Sequence, residues 1–323
     1  ESAEGGRRVI EQAVILAAGR GVRLGALTKD RPKAMLPVLG KPIIARIMDR
    51  MREAGVKRFV VVVGAEGGAV AAYLNKSWHP DCELRFALQP VPLGTADALS
   101  RAAPHLREAP FLVSACDNIV PHDHIPNLIA RFAALNGDLA LTLIHAAPDE
   151  ISRSAGVEID GDRVVRHVEK PPVSDVRGDL LSVMIYACSS RMLEGLDGAP
   201  VSPRGEKEFA RDITAGGRVG YGIAPWRLHL TREDDLLRIN LAFLEERRDA
   251  HILSELPASV AVRPPVRVDS QVSVGQNATI GPNAYLESGC TVGQGATVRD
   301  SVVLQGSVIA AGATVEGKLV APG

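Results

Sequence analysis

Between Ala13 and Ala187, short apolar runs alternate with amphipathic stretches. The runs predict strands at Ala13–Leu16, Phe59–Val63, Leu84–Leu88, Phe111–Ala115, Leu139–Ile144, Gly156–Ile159, Val164–Val168 and Leu180–Ala187. The amphipathic stretches predict helices at Pro42–Ala54, Gly67–Leu74, Thr95–Ala103, Asp123–Leu135 and Asp234–Arg247, with Pro42 suited to a first helical turn. Strands alternating with helices predict an α/β fold with a doubly wound, mostly parallel, Rossmann-like sheet. In such sheets ligands sit outside the carboxyl ends of the strands.

The pattern then changes. His251 to Pro265 reads as a helix end and a proline-containing linker. From Val266 one aliphatic residue recurs every six, at Val268, Val274, Ile280, Leu286, Val292, Val298 and Leu304, mostly followed by Gly or a polar residue. This hexapeptide repeat predicts a small left-handed parallel β-helix of roughly three turns. So short a solenoid is expected to lean on the first domain or on other subunits, and a homo-oligomer is expected. The expected organisation is a catalytic domain over 1–250, a linker over 251–265 and a β-helix over 266–323.

Composition narrows the function classes. Lys+Arg number 37 against Asp+Glu 38, a formal net charge of -1, so nothing argues for a nucleic-acid or membrane surface. No apolar run reaches membrane-spanning length. Cys82, Cys116, Cys188 and Cys290 are scattered without a C-x-x-C pair, which reads as reduced thiols in a cytoplasmic protein. Glu1 to Arg8 is polar and reads as a trimmed tail.

The candidate chemistry starts at Leu16-Ala17-Ala18-Gly19-Arg20-Gly21-Val22-Arg23, where a buried strand runs into a glycine turn, followed by Lys33 between Pro32 and Pro37. Gly19 and Gly21 let the backbone come close to phosphate, and unpaired N–H groups of the turn can face an anion. Arg23 and Lys33 can offset the charge of a triphosphate, one as a planar fork and one as a point charge. A dinucleotide fingerprint would need a third glycine where Leu24 stands, and a Walker A loop would need Ser or Thr after Gly40-Lys41, where Pro42 stands.

Leu16 to Val38 resembles the head signature of the sugar-1-phosphate nucleotidylyltransferases (NDP-sugar pyrophosphorylases), L-A-A-G-x-G-x-R-L-x-x-L-T-x-D-x-P-K-x-M/L-x-P-V/I, at nearly every position. The resemblance implies a GT-A-like nucleotidyltransferase domain that joins an NTP to a sugar 1-phosphate. It implies nucleotide contacts from Leu16, Ala17, Ala18, Gly19, Gly21 and Arg23, and from Gln89, Gly94 and Thr95 of the segment Gln89-Pro-Val-Pro-Leu-Gly94-Thr95. Gln89 can offer a base edge both a donor and an acceptor, while Thr95 could equally serve as a helix N-cap. Asp117, after a strand, is implied as the ligand of Mg²⁺, with Mn²⁺ as the alternative, since a hard carboxylate beside phosphate oxygens suits that ion. Glu169 and Lys170 of Glu169-Lys170-Pro171 are implied to hold the sugar hydroxyls and the sugar phosphate. Arg23, Lys33 and Asp117 are the implied catalytic residues.

The chain departs from the family pattern at three places. Cys116 replaces a glycine before Asp117. Met184 stands at the glycine of a Gly-Ile-Tyr segment, where it should fill space under the sugar or force the strand away. Trp226-Arg227-Leu228-His229 has Leu228 where the family has a second metal-binding Asp. Leu228 keeps a second reading open, a catalytically silent homologue that binds a nucleotide sugar. A third, acyl transfer by the β-helix, is disfavoured because Val266 to Gly323 contains no histidine.

Overall fold

The computed structural model describes residues 10–79, 81–194, 196 and 218–322; the expected tail Glu1–Arg8 lies outside the described residues. The chain divides into two compact units. One comprises Glu1–Arg20 and Ile47–Leu228, the other Gly21–Arg46 and His229–Gly323.

The first unit is built on a nine-stranded sheet. Its strands are β1 (Gln12–Ala17), β2 (Arg58–Val63), β3 (Glu83–Leu88), β4 (Phe111–Ala115), β5 (Leu139–His145), β6 (Ala155–Asp160), β7 (Arg163–Glu169), β8 (Leu180–Cys188) and β9 (Val219–Ile223). The order is β7-β6-β8-β4-β1-β2-β3, with β5 pairing β8 and β9. The half β3-β2-β1-β4 is parallel, as expected from near-continuous apolar strands such as Phe59–Val63. The other half is mixed. β8 runs antiparallel to β4, β5 and β6, and β6 and β7 form a hairpin. The hairpin follows from Asp160-Gly161, with Gly161 at φ 58, a turn that leaves no room for a crossover helix.

The helices α2 (Gly68–Ser77), α3 (Thr95–Ala102) and α4 (His124–Leu135) belong to this unit. Phe59, Val60, Val61 and Val62 of β2 are fully buried. Trp78, just after α2, meets Phe59 edge-on at 5.1 Å and donates its indole N–H to Asp49 at 2.9 Å. Such an aromatic pair contributes about 0.5–1.5 kcal/mol beyond its buried area. The N-cap of α3 is Gly94, with no side-chain cap, so Thr95 is the first helical residue and not the cap. Pro42 likewise lies just before the helix α1 (Ile43–Glu53), in a short strand.

The second unit contains a three-faced parallel β-helix. One face stacks Ala250–Ile252, Val266–Val268, Ala284–Leu286, Ser301–Val303 and Leu319–Val320; the other two stack four and three short strands. Inward aliphatics Val266, Val268, Ile280, Leu286, Val292 and Val298 form its core. The coils sit so close that a Cβ on Gly293 would fall 2.5 Å from the Ala311 amide nitrogen of the next coil. The coil from Val268 to Leu286 spans eighteen residues, but the next is one shorter, because Leu286 pairs with Val303. Val303, not Leu304, therefore continues the inward stack, correcting the last repeat read from sequence. The slip follows Asp300, which turns the chain at φ 48.

The same unit holds the helix Glu233–Arg247 and the arm Gly21–Arg46. Glu233, Asp234 and Asp235 favour that helix's positive end, and the Asp235 carboxylate accepts the N–H groups of Thr231 (2.8 Å) and Arg232 (2.7 Å). Among the described residues, no helix is long and apolar enough to cross a membrane.

Candidate active site

In the first unit, β1 delivers Leu16 and Ala17 to the carboxyl edge of the parallel half, and Ala18 and Gly19 follow. The space beside Gly19 is open, since a Cβ there would meet nothing within 4 Å. The neighbouring strand β4 continues past Ala115, and the Cys116 N–H donates to Leu16 O at 3.1 Å. Asp117 is thereby brought beside the end of β1, where one of its oxygens accepts the Asn118 amide at 2.8 Å. Cys116, which replaces the glycine, is buried.

Gln89 follows β3 at the same edge. Its backbone N–H donates to Val63 O at 2.9 Å, and its side chain is buried. Both amide hydrogens are committed, to Gly94 O at 3.1 Å and to Asp97 Oδ2 at 2.8 Å. Because both partners are acceptors, the amide orientation is fixed by its network. Gln89 thus has only its carbonyl oxygen left for a base, not the donor and acceptor expected. Gly94 adopts φ 99, a shape few side chains tolerate, and so turns the chain into α3. Asp97, buried in the first turn of α3, was not singled out from sequence. An acid on the apolar face of Thr95–Ala102 was the available signal.

Glu169 closes β7, opposite Ala155 of β6. Leu180 and Leu181 of β8 pair with β6, while Ile185 to Cys188 pair with β4. The β6–β7 hairpin therefore stands beyond the carboxyl end of β4, with Glu169 at its near end. Lys170 adopts φ 46, a left-handed conformation that costs a non-glycine residue about 1–2 kcal/mol. It is held there by its N–H bond to Ser154 O at 2.6 Å, and its ammonium lies 3.5 Å from the Glu169 carboxylate. Strain of this kind gathers where a side chain must be aimed. Met184 sits in a register shift of β8 between Val183 and Tyr186 and packs against the core.

The remaining predicted residues belong to the second unit. Gly21, at φ 64, opens the short helix Val22–Thr28 and accepts the Leu24 N–H at 2.8 Å. Leu24 and Leu27 point inward, which leaves Arg23 exposed, with no ion pair among the described residues. Lys33 is half-buried at the start of Lys33–Met35, and its Cβ would lie 3.1 Å from a Cβ added at Gly21.

The donor set for a metal ion is small. Among the described residues there is no group of three or more His, Cys, Asp or Glu side chains able to hold an ion. Leu228, where the resemblance expects a second carboxylate, begins a short strand that pairs with Asn118–Ile119. The buried Asn118 Oδ1 has no hydrogen-bond partner. One carboxylate with a spare amide oxygen nearby suits Mg²⁺ shared with phosphates and water, not a protein cage.

The family model described as nucleotidyl transferase matches residues 12–216, and a GMPPB C-terminal domain model matches 262–323. A UTP--glucose-1-phosphate uridylyltransferase, AglF, of Haloferax volcanii is 29% identical over 244 residues, covering 74% of this chain and 94% of that protein. A bifunctional protein GlmU of Methanococcus maripaludis is 29% identical over 198 residues, covering 61% of this chain and 44% of that protein, so the match spans under half of its length. A crystal structure of UDP-glucose pyrophosphorylase complexed with UDP-glucose superimposes with a TM-score of 0.66 at 20% identity, covering 74% of this chain and all of that one, a likeness of fold. With its first strand, glycine turn and following α/β sheet inside the matched segment, the chain belongs to the nucleotidyl transferase family, among relatives that are sugar-1-phosphate nucleotidyltransferases.

Proposed function

We propose that this chain joins an NTP to a sugar 1-phosphate, forming an NDP-sugar and releasing pyrophosphate. The observation that carries the reading is the turn after β1, with open space at Gly19, followed in the sequence by the exposed Arg23, which makes no ion pair among the described residues. A phosphate oxygen of the sugar 1-phosphate attacks the α-phosphorus, the bond to the β-phosphate breaks, and pyrophosphate departs with its electron pair. The nucleophile is already an anion, so no covalent enzyme intermediate is needed. Catalysis consists of aligning two polyanions and offsetting the charge on the α-phosphoryl oxygens.

Arg23 and the turn N–H groups, from Leu16 to Gly21, would hold the β- and γ-phosphates. Lys33 would meet the α-phosphate, Lys170 the sugar phosphate and Glu169 the sugar hydroxyls. Mg²⁺, or Mn²⁺, held by Asp117 and phosphate oxygens would supply charge neutralisation. Gln89, with only an acceptor to give beside Gly94 and Thr95, can receive the ring N–H of uracil, thymine or guanine or the exocyclic amino group of cytosine or adenine, so it orients a base without naming it. The uridylyltransferase named above acts on UTP and glucose 1-phosphate by its name, which makes that pair the first to test. None of the thiols Cys82, Cys116, Cys188 and Cys290 is in a disulfide, which supports a cytoplasmic protein, and a homo-oligomer is the assembly that goes with this reading.

The test is pyrophosphate release over five NTPs and several hexose 1-phosphates, with Mg²⁺ and with Mn²⁺. Release with one pair, lost in Lys33→Ala, upholds the reading. Leu228 favours a second reading, a silent nucleotide-sugar-binding relative. That reading predicts tight ligand binding, no release, and turnover gained by Leu228→Asp.

A further inference from the structure

The arm Gly21–Arg46 carries Arg23 and Lys33, and its polar groups are met by the β-helix and by the helix Glu233–Arg247 of the same unit. Within the arm, Pro37–Val38 pairs antiparallel with Lys41–Pro42 across the two-residue turn Leu39-Gly40. Both turn residues have positive φ, 43° and 74°. Two-residue hairpins of that kind favour Asn-Gly, and a leucine enters the left-handed region only when its surroundings hold it there.

Here the surroundings do so. The Leu39 N–H donates to Asn240 Oδ1 at 2.8 Å, and the Asn240 amide donates to Pro37 O (3.0 Å) and Leu236 O (2.8 Å). The Gly40 N–H donates to the Tyr285 hydroxyl at 3.1 Å. That hydroxyl donates to Asp269 Oδ2 at 2.8 Å, while Asp269 Oδ1 accepts Arg267 Nε at 2.7 Å. A Cβ on Gly40 would overlap the Arg267 guanidinium, so the turn lies directly on this chain of hydrogen bonds.

Tyr285 lies between Ala284 and Leu286, which point into the solenoid core, so its ring points out of the solenoid. It is nevertheless fully buried. Two residues on, Glu287 grips the arm a second time: Arg31 forms a two-pronged pair with its carboxylate at 2.7 and 3.2 Å. The same carboxylate accepts the Gln305 N–H at 2.7 Å. The two attachments bracket Lys33, one two residues before it and the other six to seven after.

We infer that Tyr285 and Glu287 are positioning residues for nucleotidyl transfer: the outer face of the β-helix fixes the arm on both sides of Lys33 and thereby sets where the arm's cations meet the triphosphate. The inference rests on the function proposed above. Its cause is directional bonding. A two-pronged Arg–carboxylate pair and a buried hydroxyl bridge contribute little net stability but define one geometry. A small displacement of a charge that must meet an α-phosphoryl oxygen is costly in rate.

The experiment uses the full chain and measures kcat and KM for the NTP, NTP affinity and the thermal midpoint. The variants are Tyr285→Phe, Glu287→Gln, Arg31→Lys and the exchange Arg31→Glu/Glu287→Arg. Ile309→Ala, buried in the solenoid core, controls for stability alone. Tyr285→Phe and Glu287→Gln should each lower kcat/KM for the NTP by about tenfold. The charge exchange should recover part of the loss, and Ile309→Ala should lower the midpoint while leaving kcat/KM unchanged. Unchanged kcat/KM in Tyr285→Phe and Glu287→Gln, or an equal loss in Ile309→Ala, overturns the inference. Should either variant fail to fold, Arg31→Lys, which keeps the charge on a partly exposed side chain but loses the fork, carries the same test. A wild type that releases no pyrophosphate overturns the functional reading instead. NTP affinity then decides the inference: about tenfold weaker binding in the variants upholds it, and equal binding overturns it.

Discussion

The two parallel β-structures of this chain put their polar groups in different places. In the half-sheet β3-β2-β1-β4, the apolar strands β2, β1 and β4 are buried nearly along their length, the edge strand β3 is partly exposed, and the candidate groups lie at the strand ends, at Ala18-Gly19, Gln89 and Asp117. In the β-helix only alternate residues are buried in the core, and Arg267, Tyr285 and Glu287 stand outward along one face. The sheet can therefore present ligand groups only at an edge, whereas the solenoid can grip another segment along its side. An arm whose own turn is strained needs the second kind of support.

The comparison can be broken first through stability. Phe111→Ala opens a cavity in the buried sheet and should cost about 3–5 kcal/mol. Both tryptophans, Trp78 and Trp226, belong to the sheet unit, so their fluorescence should follow that loss in a denaturant titration. Ile280→Ala in the solenoid core should destabilise the β-helix, seen by circular dichroism, and leave the tryptophan transition in place. Coincident shifts of both signals would mean that the units unfold as one.

Chemistry sharpens it next. Lys33→Ala on the arm and Asp117→Ala at the sheet edge should each lower pyrophosphate release about 10²–10³-fold, the usual loss for one electrostatic contact to a transition state. Secondary structure, read by circular dichroism, should be preserved in both.

An acid titration separates the units by a smaller margin. His167 in β7 is buried, with neither ring nitrogen hydrogen-bonded, and burial pushes its pKa down from 6.5 to about 4. Between those values the unfolded chain takes up a proton that the folded chain refuses. Stability of the sheet unit should therefore fall as pH drops from about 6.5, by roughly 3 kcal/mol on reaching pH 4, and then level off with respect to this group. Urea midpoints read by tryptophan at pH 7 and pH 4.5 check this, and His167→Leu should flatten the slope.

The smallest effect concerns base choice. Asp97→Asn offers Gln89 a donor in place of an acceptor and frees its amide to reorient. The preference for one base over the others should shrink by about tenfold or less, measured as the ratio of kcat/KM values.

Much of this fold is legible in the sequence because it is written locally. Phe59–Val63 is a strand by its unbroken apolar run, and Val268, Val274 and Ile280 mark a solenoid by their period. The hairpin β6–β7 was readable from Asp160-Gly161 but was absorbed into an expectation of parallel strands. What escapes is polar and distant. Arg31 and Glu287 lie 256 positions apart, and nothing local pairs them. Tyr285 occupies an outward slot between two core residues, where a surface side chain is the ordinary expectation. The shift at Met184 and the short coil after Asp300 each depend on one residue of register, which apolar periodicity does not resolve. At the candidate site, the five-residue spacing of Gln89 and Gly94 could be read directly. That Asp97 and Gly94 O consume both amide hydrogens could not.

The most direct test follows the phosphorus atoms. The protein would be supplied with UTP and a hexose 1-phosphate whose non-bridging phosphate oxygens carry ¹⁸O, and the products weighed by mass spectrometry. The account predicts unlabelled pyrophosphate and a UDP-hexose that keeps the label on the phosphate next to the sugar. UMP with unlabelled pyrophosphate and untouched hexose phosphate would contradict it.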